Sequence, residues 1–248
     1  MVLNDFAFDR AADYDVTLVN PKPRGDIAAK GTFGPFNADE PNVTPVAGTY
    51  AFARADLGTI NGIAGILESS GRFEGPLRQI GLDGTATVPD FGLTTSGNRL
   101  PLDVAFTACV DGTDGDTYLD RVHATLAGSA IDAAGRVEGI LGVRGRRIVL
   151  DATVDEGQME DFLRLAVDDA TPLLSGIIDI KTTFDLPPGE TEVVERLELN
   201  GEFTLREGRF HEGQLQGKVN ELSRRGRGDM GRSGTSGALR VRWPVHAR

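Results

Sequence analysis

Apolar and polar positions alternate with a period of two over most of the chain from Ile27 to Leu205. Val104, Phe106, Ala108 and Val110 alternate with Asp103, Ala105, Thr107 and Cys109. Ile148, Leu150, Ala152 and Val154 alternate with Val149, Asp151, Thr153 and Asp155. Leu197, Leu199, Gly201, Phe203 and Leu205 alternate with Glu198, Asn200, Glu202 and Thr204. Successive side chains of a strand point to opposite faces, so each stretch has one apolar and one largely polar face. Further strands are predicted over Gln79–Val88, Asp116–Leu126, Ala130–Glu138 and Ile177–Asp185. Turn residues separate them: Asp111-Gly112, Asp114-Gly115, Gly142 to Gly145, Glu156-Gly157 and Pro187-Pro188-Gly189. The expected fold is mainly β, an antiparallel meander forming a curved, twisted sheet with two or three short helices.

Three stretches carry a helical period instead. Met159, Phe162, Leu163, Leu165 and Ala166 share one helical face, ahead of the helix-stopping Pro172. Phe210, Leu215, Val219 and Leu222 predict a second helix ending near Arg225-Gly226. Leu57, Ile60, Ile63 and Ile66 predict a short third between Asp56 and Leu67, weakened by Gly58, Gly62 and Gly65. Two segments, Gly71-Arg72-Phe73-Glu74-Gly75 and Gly135-Arg136-Val137-Glu138-Gly139, share the pattern G-R-x-E-G and each leads into another alternating strand. They read as duplicated hairpin units, with chance similarity as the competing explanation.

Composition sharpens this picture in two places. The chain has 32 glycines in 248 residues, nearly twice the usual share of ~7%, as a turn-rich β chain requires. Its net charge of −11 is unevenly spread, because Arg224 to Arg248 hold seven arginines against Asp229 alone. The acidic remainder would repel a phosphate backbone, which argues against nucleic acid as a partner. No apolar run approaches the ~20 residues of a membrane-spanning helix, and Met1 to Arg10 has no leader-peptide pattern.

Candidate chemistry is sparse. Asp111-Gly112-Thr113-Asp114-Gly115-Asp116 gathers three carboxylates, but its spacing departs from a calcium-binding loop at the glycine and at the closing glutamate, so a tight turn is expected. Cys109 and His123 lie on neighbouring predicted strands without a third group to orient a base, so the expected roles are strand packing and surface exposure. No glycine-rich phosphate loop and no metal-ligand spacing is present, and no cofactor or catalytic residue is predicted.

Several ordered stretches carry a resemblance. They are Asn20-Pro21-Lys22-Pro23-Arg24-Gly25-Asp26-Ile27, Gly31-Thr32-Phe33-Gly34-Pro35, Thr44-Pro45-Val46 with Gly48-Thr49-Tyr50, and Val88-Pro89-Asp90-Phe91. Val110 to Thr117, Leu186-Pro187-Pro188-Gly189, and Arg196-Leu197 with Gly201, Phe203, Phe210 and Leu222-Ser223-Arg224-Arg225-Gly226 complete the set. Together, over residues 16 to 228, they resemble the bacterial AsmA-like family. The resemblance implies a non-enzymatic, β-rich periplasmic protein of outer-membrane biogenesis, held in the inner membrane by an N-terminal helix. It implies phospholipid or another acyl lipid as the partner, with envelope membrane proteins as further partners, and it supplies no catalytic residues. No such helix precedes Met1, and further strands are expected after Gly228, so the chain is expected to be a fragment. Residues 1–228 are expected to form one domain, with a possible internal boundary near residue 98, and 229–248 a disordered or out-of-frame tail.

Two readings follow for the apolar face. In the first it is a groove for acyl chains, lined by Val104, Phe106, Ala108, Val110, Ile148, Leu150, Ala152, Val154, Leu197, Leu199, Phe203 and Leu205. In the second the same residues form the closed core of a two-layer β-sandwich with a structural or interaction role. A cysteine hydrolase built on Cys109 and His123 is a distant third.

Overall fold

The computed structural model describes the backbone of residues 2–4, 9–168, 172, 174–210 and 235–242, and the side chains of 9–168, 172 and 174–209. The alternating stretches form β1 (Val2–Asn4), β2 (Ala12–Pro21), β3 (Arg24–Phe33), β4 (Pro45–Asp56), β5 (Ile63–Ala64), β6 (Ile66–Pro76) and β7 (Ile80–Leu93). They continue as β8 (Leu100–Val110), β9 (Thr117–Leu126), β10 (Ser129–Gly139), β11 (Arg146–Gln158), β12 (Leu174–Leu186), β13 (Glu198–Phe210) and β14 (Thr235–Arg242). Among the described residues two helices interrupt them, α1 (Met159–Ala166) and α2 (Val193–Arg196).

All pairings are antiparallel, and strand order along the sheet is chain order, apart from β5, which pairs with β7 beside the main path. The result is one open sheet. Among the described residues the strands of the main path belong to that one sheet, each in contact with its ladder neighbours. The β7–β8 ladder runs from Ile80 opposite Val110 to Phe91 opposite Leu100, so the sheet is continuous across the hairpin that contains residue 98.

The helix predicted between Asp56 and Leu67 does not form. Asp56 caps a single 3-10 turn, Leu57–Thr59, through its side chain to the Gly58 N–H, and β5 and β6 follow. Gly62 and Gly65 have φ of +98° and +130°, conformations that favour glycine and break a helix. The helix predicted from Phe210 to Leu222 falls on residues outside those described, except that Phe210 is the last residue of β13. Helix α1 forms where predicted and ends at Ala166, with the Val167 N–H donating to the Leu163 carbonyl before Pro172 is reached. Within the tail expected to be disordered, Thr235–Arg242 is placed as a strand beside β13.

The sheet coils strongly. Neighbouring strands rotate by roughly 20–25° each, so the seven pairings from β4 to β12 accumulate roughly 140–175°. This turns the end of β12 toward the end of β4, although seven pairings separate them along the ladder. The loop after β12 accordingly meets the loop after β4. The Val193 N–H donates to the Asn61 carbonyl at 2.9 Å, the Asn61 side-chain amide donates to the Glu190 carbonyl, and Lys22 in the β2–β3 turn ion-pairs Glu190 at 3.2 Å. Bulges sharpen the coil. Arg54 and Glu156, at φ of +54° and +55°, sit in the register shifts of β4 and β11.

Candidate functional site

The pairing register gathers the predicted apolar residues on one face. Phe106 stands opposite Gly84 on β7 and Val122 on β9, and Val104 stands opposite Ala86 and Ala124. Leu150 faces Gly135 and Phe184, and Ala152 faces Ala133 and Thr182. Leu199 faces Phe184, Phe203 faces Ile180, and Leu205 faces Ile178. The three stretches singled out by alternation, β8, β11 and β13, are thus joined into one surface by strands between them. Val104, Phe106, Val110, Ile148, Leu150, Ala152, Leu199, Phe203 and Leu205 are half-buried, whereas Ala108 and Val154 are each 4% exposed. Leu197 is not part of the β13 strand: it caps α2, and its N–H donates to the Val193 carbonyl at 2.9 Å.

Several residues of this face escaped the alternation argument. Tyr50 and Phe52 on β4 alternate with Ala51 and Ala53, so the contrast between faces is low there. Their role shows in the glycines beside them. A Cβ at Gly84 would lie 2.5 Å from the Tyr50 hydroxyl oxygen and 2.8 Å from Phe106 Cζ, and one at Gly71 would lie 2.7 Å from Tyr50 Cε1. Tyr50 and Phe106 therefore lean inward from β4 and β8 and cover the paired glycines Gly71 and Gly84 on β6 and β7. The Tyr50 hydroxyl is shared with Ser69 Oγ at 3.1 Å. Gly71 opens the first G-R-x-E-G segment, and Gly135, which opens the second, also lies on the apolar face, between Leu119 and Leu150.

One end of the face is closed. Helix α1 packs on β12 and reaches β7, and Val88, Leu100, Leu126 and Ile178 at that end are all less than a tenth exposed. An eight-residue helix is ~12 Å long, so contact with both strands requires the sheet to curl toward it. Asp161, buried on α1, fixes it to the β9–β10 turn by accepting from Ser129 Oγ at 2.8 Å and the Gly128 N–H at 3.0 Å. Asn98, between β7 and β8, donates to the carbonyls of Arg164 and Val167 at 2.9 Å each.

The opposite face is polar and laced with ion pairs. Arg206 grips both oxygens of Asp179 at 3.0 and 3.1 Å, and the Glu156 N–H donates to the same carboxylate. These contacts hold the Asp179 carboxyl below its ordinary range, the backbone donor first. Asp111 to Asp116 form the expected turn between β8 and β9. Asp111 accepts from Thr113, Asp114 from the Asp116 N–H, and Asp116 from the Gly139 N–H and Arg146. The three carboxylates serve separate partners rather than one centre, and Asp116 is pulled below its ordinary range by Gly139 and then Arg146. Cys109 lies opposite Tyr118, not His123; His123 instead holds Asp132 through Nδ1 at 2.8 Å. The register therefore forms no Cys–His pair.

A concavity of about 990 Å³ opens on this polar face over β6 to β10, between Arg72, Asp83, Thr107, Arg121, His123 and Asp132. The chain matches no known family, no curated protein and no solved structure.

Proposed function

We propose that the protein is a non-enzymatic acyl-lipid-binding module whose apolar sheet face carries the hydrocarbon of a phospholipid or similar lipid. The observation that carries the reading is one continuous sheet whose apolar face keeps Phe106, Leu150, Leu199 and Phe203 part-exposed. A one-sided sheet in water normally buries its apolar face against another layer; here an acyl chain supplies that layer. Burial of one methylene is worth about 0.8 kcal/mol, so ten give roughly 8 kcal/mol gross before ordering costs are subtracted. Binding of this kind needs no polar pocket, in keeping with the half-buried aliphatic and aromatic lining. The resemblance to AsmA-like proteins points to the same ligand class and to a periplasmic, inner-membrane-anchored setting in outer-membrane biogenesis.

The test is native mass spectrometry and solvent extraction of purified protein. Bound phospholipid above that of an unrelated β-protein control is expected. A delipidated protein that takes up no fatty acid or phospholipid overturns the reading.

A further inference from the structure

Six of the strand arginines hold a carboxylate, Arg54 with Asp26, Arg72 with Asp83, Arg136 with Glu138, Arg146 with Asp116, Arg147 with Asp185 and Arg206 with Asp179, whereas Arg24, Arg121 and Arg209 do not among the described residues. Arg121, in the middle of β9, has no ion pair and no side-chain hydrogen bond among the described residues. It is a free cation on a chain rich in acids, and it borders the 990 Å³ concavity of the polar face. Short side chains create that space: Ser70, Thr85, Ala105 and Thr107 form its floor, and longer ones stand around it. Thr107 lies directly opposite Arg121 on β8. His123, two residues along the same face, is held by Asp132 through Nδ1, which leaves Nε2 as its free ring nitrogen.

We propose that this concavity binds a phosphate-type oxyanion, held by the Arg121 guanidinium and the His123 Nε2–H, with the Thr107 hydroxyl as a further donor. A guanidinium presents a planar fork of donors that matches oxyanions of this kind. The two acids of the lining are each matched to a base, Asp83 to Arg72 and Asp132 to His123. The second match is complete only when the imidazole is protonated. Asp103, diagonal to His123 on β8, is the other acid facing it, and Arg121 the nearest base on its own strand. The site lies on the face opposite the apolar groove and does not rest on the lipid reading.

The experiment is an NMR titration of the isotope-labelled full chain, following the Arg121 Nε–H and the His123 ring. Inorganic phosphate is the first probe. Sulfate is the second probe. Saturable shifts confined to the lining are expected, with binding about tenfold weaker in Arg121→Gln. His123→Asn should weaken binding as well. Retained spectral dispersion in both variants keeps a folding defect from imitating these results. Glycerol 3-phosphate and vesicles with or without phosphatidylglycerol then separate the sources. Arg121-dependent binding of the soluble ester assigns a free ligand, and Arg121-dependent binding of the anionic vesicles alone assigns a lipid headgroup. No shift with any probe, or unchanged binding by Arg121→Gln, overturns the proposal.

Discussion

Asn61 and Glu190 are 129 positions apart in sequence, yet the Asn61 side-chain amide donates to the Glu190 carbonyl. With the Lys22–Glu190 ion pair and the Val193–Asn61 backbone bond it forms a clasp between the two sides of the coiled sheet. Asn61→Ala removes the side-chain bond and should cost about 0.5–1.5 kcal/mol in urea unfolding. Lys22→Ala, at an exposed pair, should cost less than about 1 kcal/mol. Faster hydrogen exchange at the Val193 amide in Asn61→Ala is the local readout, and unchanged protection there would show that the side-chain bond does not secure the loop.

Gly84→Ala places a methyl group against the Tyr50 hydroxyl and the Phe106 ring. Both rings must shift, and overpacking of this kind costs about 1–3 kcal/mol. Urea unfolding measures the loss, and Tyr50 ring resonances should move even at positions remote from the substitution. Gly81→Ala serves as the control, since its nearest neighbour is at ordinary contact distance, 3.4 Å.

Asp161→Ala leaves the Ser129 hydroxyl and the Gly128 N–H without their acceptor in a buried turn. An orphaned buried donor costs about 1–3 kcal/mol. Helix α1 should then loosen first, visible as lost amide protection over Phe162 to Ala166 before global unfolding. Equal loss of protection throughout the sheet would contradict the helix's standing as a separately latched element.

Stability should fall on acidification. The carboxyls of Asp111, Asp116, Asp179 and Asp185 are all held below their ordinary range, Asp111 by Thr113 and Asp185 by Arg147. As pH falls the unfolded chain takes up these protons first. The stabilisation is therefore complete above the unfolded carboxylate range near ~4 and is lost as pH drops through the lower folded values. The urea midpoint should be flat from about pH 7 to about pH 5 and then decline. Asp179→Asn, which cannot titrate, should be less stable at neutral pH and lose less on acidification.

Much of the fold is written in single residues. Leu199 stands between Glu198 and Asn200, so the period of two identifies a strand and its apolar side together. The order of the sheet follows from the shortness of the hairpins. Leu57, Ile60, Ile63 and Ile66 misled because a spacing of three also arises in a glycine-rich turn, and only the positive φ of Gly62 and Gly65 separates the two. The Asn61–Glu190 clasp left no local trace. It arises from twist summed over seven pairings, which no window of sequence contains. Arg121 looks like any other arginine until the pairing register sets it opposite Thr107 at the edge of the polar concavity.

Strand order that repeats chain order has a further consequence. Each hairpin is hydrogen-bonded to the one before it, so the ribbon can gain or lose a terminal hairpin without rethreading the remainder. Length in such an architecture can change at its ends without a change of topology.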